Sequence, residues 1–244
     1  MRLNTGIYKE TAVVVPTFNE SDNIERLIRT IFGISTDLHI IVVDDNSPDE
    51  TWKIVKKLQK EFKNLDLILR DKKDGRGGAC LDGFAYALSH YPDLSHIIEM
   101  DADFSHDPKD IPRLLEKAQS GCDLVIGSRY IRGSKILNWG LKRRIFSKLA
   151  NIYARMILGI PIMDYTNGYR CYSKEAIQIL DKSKIKSKGY IVLSEIAYQI
   201  YRNNFSICEI PIVFLNRKRG ASNVSIHEII NAFTSVTKIK EQFK

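Results

Sequence analysis

Residues 96–108 read HIIEMDADFSHDP. Hydrophobic positions surround a single acid, Glu99, and two aspartates then follow with only Ala102 between them. A short apolar run of this kind, ending in polar residues, fits a buried strand. Four more runs repeat the pattern: TAVVVPTF (11–18), LHIIVVDD (38–45), LDLILR (65–70) and CDLVIGSR (122–129). All are short, rich in Val and Ile, and bounded by polar or turn-forming residues, as strands covered on both faces are.

Amphipathic stretches lie between these runs. Ser47-Pro48-Asp49-Glu50 offers an N-cap, a proline at the first helical position and a glutamate three residues after the cap. Asp107-Pro108 opens a later helix in a similar way. The β-α-β-α order predicts an α/β domain, its mostly parallel central sheet covered by helices on both faces. Ligands in such sheets collect beyond the carboxyl ends of the strands, where Asp44-Asp45 and the Asp101/Asp103 pair fall.

After Arg129 the pattern changes. Over Leu141 to Leu158, Ile145, Leu149, Ile152 and Met156 recur at helical spacing, and Lys142, Arg143, Arg144, Lys148 and Arg155 supply a basic face. Such a helix either packs on the domain or rests at a membrane interface. DYTNGYRCY (164–172) reads as a turn and strand, residues 192–202 as a helix, and SICEIPIVF (206–214) as a strand broken by Pro211. The tail from Ile226 to Phe243 places Ile226, Ile229, Ile230, Phe233, Val236 and Ile239 near one helical face.

The formal net charge is +8 in 244 residues. Arg129, Arg132, Lys135, Lys142, Arg143, Arg144, Lys148 and Arg155 stand in a stretch without an acid and match that whole excess. The field favours an anionic partner: a phosphorylated substrate, a membrane surface or nucleic acid. The four cysteines contain no CxxC pair, which argues against a zinc site or a secreted disulfide framework and fits a reducing, cytosolic setting. No run approaches the ~18 apolar residues of a transmembrane helix, so the chain is expected to be soluble or membrane-peripheral.

In an extended segment, residues two apart point the same way, so Asp101 and Asp103 can share one site. Two hard oxygen donors suit Mg²⁺ or Mn²⁺, ions that commonly bridge carboxylates to substrate phosphates. The alternative is a loop in which both aspartates cap backbone amides. Asp44 or Asp45 could accept hydrogen bonds from a nucleobase or ribose, with a turn and helix cap as the alternative. KKDGRGGA (72–79) lacks the features of a phosphate loop and reads as a flexible connection into a helix. The five histidines form no ligand-spaced set, and His106 reads as a neighbour of the acidic pair rather than a metal ligand.

Taken together, VVVPTFNE (13–20), VVDDNSPD (42–49), DADFSHDP (101–108), GSRY (127–130), DYTNGYRCY and FLNRKRGASN (214–223) resemble the family 2 glycosyltransferases, and within them the dolichyl-phosphate (polyprenyl-phosphate) mannosyltransferases. The resemblance runs from about Thr11 to Val224. It implies a GT-A fold over residues 1–224, to which the spacing in the tail adds a C-terminal amphipathic helix at 225–244, where some members of that family carry transmembrane helices. It also implies inverting transfer of mannose from GDP-mannose to a polyprenyl phosphate, with Mg²⁺ or Mn²⁺ held by Asp101 and Asp103. Pro16, Phe18, Glu20, Asp44, Asp45, Asp101, Ala102, Asp103 and Arg217 would line the donor site. Arg129, Arg143 and Ser147 would clamp the acceptor phosphate, and Asp164 would stand beside the reacting sugar, orienting the nucleophile or balancing the metal, with a turn aspartate as the alternative; Asp103, Arg129 and Asp164 would be the catalytic set. Arg170 and Glu195 also match family positions, where structural salt bridges are an equal reading.

Two departures stand out. Asn223 replaces the lysine of an RxxGxSK motif formed otherwise by Arg217, Gly220 and Ser222, leaving Lys218 or Arg219 as substitutes, and Ser105 replaces a glutamine found in some relatives. The nearest rival is a polyprenyl-phosphate glucosyltransferase using UDP-glucose. A non-enzymatic membrane or nucleic-acid binder would leave the strand-end carboxylates unexplained, and no nucleic acid is expected as a partner. The basic helix and the tail are expected to rest on the cytoplasmic face of a membrane or to bind a small membrane-embedded subunit.

Overall fold

The computed structural model describes residues 5–71, 75–186, 189, 191–216 and 236–242. In chain order the strands are β1 (Thr11–Thr17), β2 (His39–Asp44), β3 (Leu65–Leu69), β4 (His96–Glu99), β5 (Leu124–Ser128), β6 (Lys135–Leu137), β7 (Arg170–Ser173), β8 (Ile207–Pro211) and β9 (Val213–Leu215). The helices are α1 (Ile24–Phe32), α2 (Thr51–Leu58), α3 (Arg76–His90), α4 (Ile111–Gln119), α5 (Leu141–Leu158), α6 (Lys174–Gln178) and α7 (Ile191–Arg202). The five apolar runs of the sequence are β1 to β5.

Seven strands form one sheet in the order β3-β2-β1-β4-β7-β5-β8, while β6 and β9 pair separately. Within the large sheet only β7 is antiparallel to its neighbours, β4 and β5, so the expected mostly parallel sheet is observed. Strand order reverses at β1, which pairs with β2 on one side and β4 on the other. Ligand crevices form at such reversals, outside the carboxyl ends.

Burial on both faces follows from the alternation of side chains. Val13, Val15, Ile40 and Val42 pack with α1, α2 and α4, whereas Ala12, Val14, Ile41 and Val43 pack with α3, α6 and α7. Each fully buried branched side chain contributes about 1.5–3 kcal/mol of hydrophobic stabilisation. Gly83 lets α3 lie close on the sheet, since a Cβ there would collide with Val14 and meet Val43.

Three local expectations need correction. Ser47 does not cap a helix: α2 starts at Thr51, after Glu50 at φ 60°. The buried Asp44 carboxylate takes both the Ser47 N–H and the Ser47 hydroxyl, at 2.8 and 2.7 Å, and Ser47 Oγ accepts from the Asn19 N–H at 3.0 Å rather than from a helix N–H. Cys122 and Cys208 form a disulfide across 86 residues, because the β5–β8 pairing brings their Cα atoms to 6.1 Å. The spacing of the cysteines carried no sign of that pairing, and Cys80 and Cys171 remain free and buried. Pro211 ends β8 rather than merely breaking one strand, and β9 turns to a different sheet. Of the expected tail helix, residues 236–242 are helical and the rest of 217–244 lies outside the described residues.

Gly83→Leu should overpack the α3–sheet contact and lower unfolding stability by about 2 kcal/mol or more, read as a fall in urea midpoint at unchanged m-value.

Candidate functional site

At the carboxyl ends of β1, β2 and β4, Pro16, Thr17, Phe18, Glu20, Asp45, Arg76, Ala79, Asp101, Ala102 and Asp103 line one cleft. Seven of the residues expected at the donor side therefore converge. Asp44 is not among them. Its carboxylate is fully buried and accepts from Thr17 Oγ1 at 2.6 Å as well as from Ser47, which builds the turn that presents Asp45. Asp45 accepts from Arg70 at 2.6 Å, and Arg70 also reaches Asp82. Arg217 lies outside the described residues.

The loop after β4 is held by its own backbone and by a buried histidine. Asp103 Oδ1 accepts from the Ser105 N–H at 3.0 Å. Phe104 adopts φ 58°, uncommon for a bulky residue, with the Arg26 guanidinium 4.5 Å from its ring centroid. The Asp101 N–H donates to His106 Nδ1 at 3.1 Å, so that nitrogen is unprotonated and Nε2 carries the hydrogen toward Asn167 Oδ1 at 2.8 Å. Burial lowers the His106 pKa, in keeping with this neutral ring.

Thr17, Arg76 and Ala79 line the cleft without having been expected there, and Arg76 is the charged one among them. It opens α3 inside the glycine-rich stretch and donates to Asp101 at 2.7 Å, Glu99 at 3.0 Å and the Gly168 carbonyl at 3.1 Å. Burial alone would lower its pKa, but Asp101 and Glu99 outweigh that and keep the guanidinium charged. A cation followed by small residues at a strand-to-helix turn was the available signal.

A second cluster adjoins the end of β5. Arg129 grips Asp164 through Nε at 2.8 Å and Nη2 at 2.7 Å, and its backbone N–H donates to the same carboxylate at 2.9 Å. Both residues are buried. Burial pushes the Asp164 carboxyl up, yet the charge and hydrogen bonds of Arg129 more than offset this and hold it below its ordinary 3.8. Glu209 on β8 accepts from the Met163 and Asp164 N–H groups at 2.8 and 3.0 Å, fixing the turn from below.

The Arg129 guanidinium lies 5.3–5.5 Å from the rings of Phe214, Trp139 and Tyr130. Trp139 also carries the Arg143 guanidinium at 4.2 Å, and Ser147 Oγ accepts from the Tyr130 hydroxyl at 2.6 Å. The three residues expected to hold the acceptor phosphate thus share one aromatic framework. Arg170 is structural: it donates to the carbonyls of Asn167, Leu193 and Tyr165. Glu195 is fully buried on α7.

The two clusters are joined. Asn167 links the Asp164 carboxylate, through its N–H, to His106 and hence to Asp101. Among the described residues no three His, Cys, Asp or Glu side chains form a metal cage. Asp101 and Asp103 supply two hard oxygen donors on one cleft wall, a set that fits a divalent ion drawing its other ligands from phosphates and water.

Residues 12–180, which carry nearly all of this machinery, match the glycosyl transferase family 2 model. The chain belongs to that family. It is a glycosyltransferase, and relatives agree over nearly its full length. It is 38% identical over 231 residues to a polyprenol monophosphomannose synthase of Mycolicibacterium smegmatis, covering 94% of this chain and 86% of that protein. It is 35% identical to an undecaprenyl-phosphate mannosyltransferase of Micrococcus luteus, covering 92% and 91%. The GT-A architecture is shared with glucosyl-3-phosphoglycerate synthase from Mycobacterium tuberculosis, solved with Mn²⁺, UDP and glucosyl-3-phosphoglycerate. The TM-score is 0.67 at 17% identity, over 94% of this glycosyltransferase and 78% of the other chain.

Asp164→Ala should cost about 3–5 kcal/mol in chemical denaturation, because it leaves the Arg129 charge buried without its partner. Since the Asp164 pKa is depressed on folding, its contribution is present above the ordinary 3.8 and lost as pH falls below it. Asp164→Asn should therefore flatten the acid limb of the stability curve below about pH 4.

Proposed function

We propose that this glycosyltransferase moves mannose from GDP-mannose to a dolichyl- or polyprenyl-phosphate acceptor, with inversion and with a divalent ion, Mg²⁺ or Mn²⁺. The observation that carries the reading is the juxtaposition of an acidic cleft at the sheet's reversal with a buried, aromatic-framed arginine cluster. The names of the two curated relatives support mannose as the sugar and a polyprenyl phosphate as the acceptor.

In this reading Pro16, Phe18, Glu20, Asp45 and Ala102 enclose the nucleotide, while Asp101 and Asp103 would hold the ion. Bound there, the ion offsets the charge that builds on the departing diphosphate. An acceptor phosphate oxygen attacks the anomeric carbon as the bond to the GDP oxygen breaks. A phosphate monoester is already anionic at neutral pH, so positioning contributes more than deprotonation. Arg143 and Ser147 stand one helical turn apart to meet that phosphate, and Arg129 adds a planar guanidinium suited to phosphate oxygens. Asp164 keeps Arg129 in place. Arg217 is proposed as a further donor-side cation.

The lipid acceptor requires the site to meet a membrane. No helix among the described residues is long and apolar enough to cross one. The outer face of α5 is the best-fitted surface. Its expected apolar stripe points away from the domain: Leu141 and Met156 are each 71% exposed, Leu149 55% and Ile145 52%. The inward face instead carries Asn151, Ala154 and Leu158, with Asn151 accepting from the Tyr165 N–H. Apolar residues exposed beside Lys142, Arg144, Lys148 and Arg155 form the pattern of an interfacial helix on an anionic leaflet. We assign this surface to peripheral docking on the cytoplasmic face, with a small membrane-embedded subunit as the rival occupant.

The reaction is tested by transfer of labelled sugar from GDP-mannose, with UDP-glucose in parallel, to a polyprenyl phosphate in detergent. Metal-dependent mannosyl-lipid, reduced at least about 100-fold by Asp103→Ala, is expected; glucosyl-lipid alone would transfer the donor assignment to UDP-glucose. Docking is tested by flotation with vesicles containing phosphatidylglycerol. Binding should weaken with salt and fall about tenfold when Ile145 and Leu149 become Ser; binding confined to a co-expressed membrane subunit would favour the rival.

A further inference from the structure

Arg76 carries an inference beyond the reaction itself. Its side chain is only 13% exposed, yet it lines the cleft together with Asp101 and Asp103. Each guanidinium nitrogen has its own partner: Nε donates to Asp101, 20% exposed, and Nη1 to the fully buried Glu99. Nη2 donates to the Gly168 carbonyl, in the loop that follows Asp164. That seat is built for it, since a Cβ on Gly168 would collide with the guanidinium.

The arrangement has an electrostatic consequence. A divalent ion on Asp101 and Asp103 would sit beside a fixed positive charge that already occupies Asp101 Oδ1. Like charges at such distances in a partly enclosed site repel appreciably. A diphosphate brings the negative charge that can offset both cations at once, and charge-assisted hydrogen bonds from a guanidinium to phosphate oxygens are strong ones. Resting on the proposed nucleotide-sugar reading, we propose that Arg76 is the resident counter-ion of Asp101 and a direct contact of the donor diphosphate, making divalent-ion binding conditional on the nucleotide.

The test is Mn²⁺ binding to the full chain, followed by the electron paramagnetic resonance of free Mn²⁺, with and without GDP. Wild type should bind Mn²⁺ weakly alone and about tenfold or more tightly with GDP, a coupling that must be reciprocal for GDP. Arg76→Met should tighten nucleotide-free Mn²⁺ binding about five- to tenfold and shrink the coupling. That variant leaves Glu99 buried without its partner, so Arg76→Met with Glu99→Gln removes both charges and keeps the measurement available if the single variant unfolds. Gly168→Ala keeps every charge but displaces the guanidinium, and should move the coupling in the same direction. Equal Mn²⁺ affinity with and without GDP in wild type, or an unchanged coupling in all three folded variants, would overturn the role of Arg76. In wild type, absence of the coupling with mannosyl transfer intact refutes the inference alone, whereas intact coupling without sugar transfer refutes the proposed reaction.

Discussion

The ion pair between Arg129 and Asp164 is the interaction on which the rest of the site depends. Two charges withdrawn from water are costly, and only good geometry with further hydrogen bonds repays the cost. Here the geometry supplies both: two side-chain donors and one backbone donor from Arg129, with further N–H groups from Thr166 and Asn167 on the same carboxylate. Glu209 then fixes the backbone of Asp164 from the neighbouring strand. The pair therefore locks the end of β5 to the turn before β7.

That lock extends to the acidic cleft. From Asp164 the contacts run through Asn167 and the neutral ring of His106 to the backbone of Asp101, and a second route runs from Gly168 through Arg76 to the Asp101 carboxylate. An antiparallel strand inserted between β4 and β5 makes this possible, because β7 starts where those two parallel strands end. The acidic cleft and the Arg129 cluster are thus fastened to one segment, 164–170. Support of this kind would suit the proposed reaction, in which positioning matters.

Much of this was legible in the sequence, for identifiable reasons. β1, β2, β4 and β5 announced themselves because burial on both faces leaves little choice but Val, Ile and Leu, the half-buried edge strand β3 shared their apolar run, and acidic pairs marked the carboxyl ends of β2 and β4. The basic helix was legible in its bounds, Leu141–Leu158, but not in its orientation. Leu141, Ile145, Leu149 and Met156 face outward while Asn151, Ala154 and Leu158 face inward, which periodicity alone cannot distinguish. Asp44 and Asp45 were indistinguishable for a similar reason, since a one-residue step decides which carboxylate turns into the protein. Arg76 was hidden because its partners, Glu99, Asp101 and Gly168, are 23 to 92 residues away. The Cys122–Cys208 pair was hidden by its separation too, and the C-terminal motif from Arg217 to Asn223 lies outside the described residues.

The most direct measurement of the central claim is an experimental structure of the protein with GDP, Mn²⁺ and a short-chain polyprenyl phosphate. The account predicts the diphosphate against Asp101, Asp103 and Arg76, and the monoester phosphate among Arg129, Arg143 and Ser147, with its lipid leaving along the outer face of α5. A diphosphate bound away from the acidic cleft, or an acceptor phosphate seated on a different surface, would contradict it.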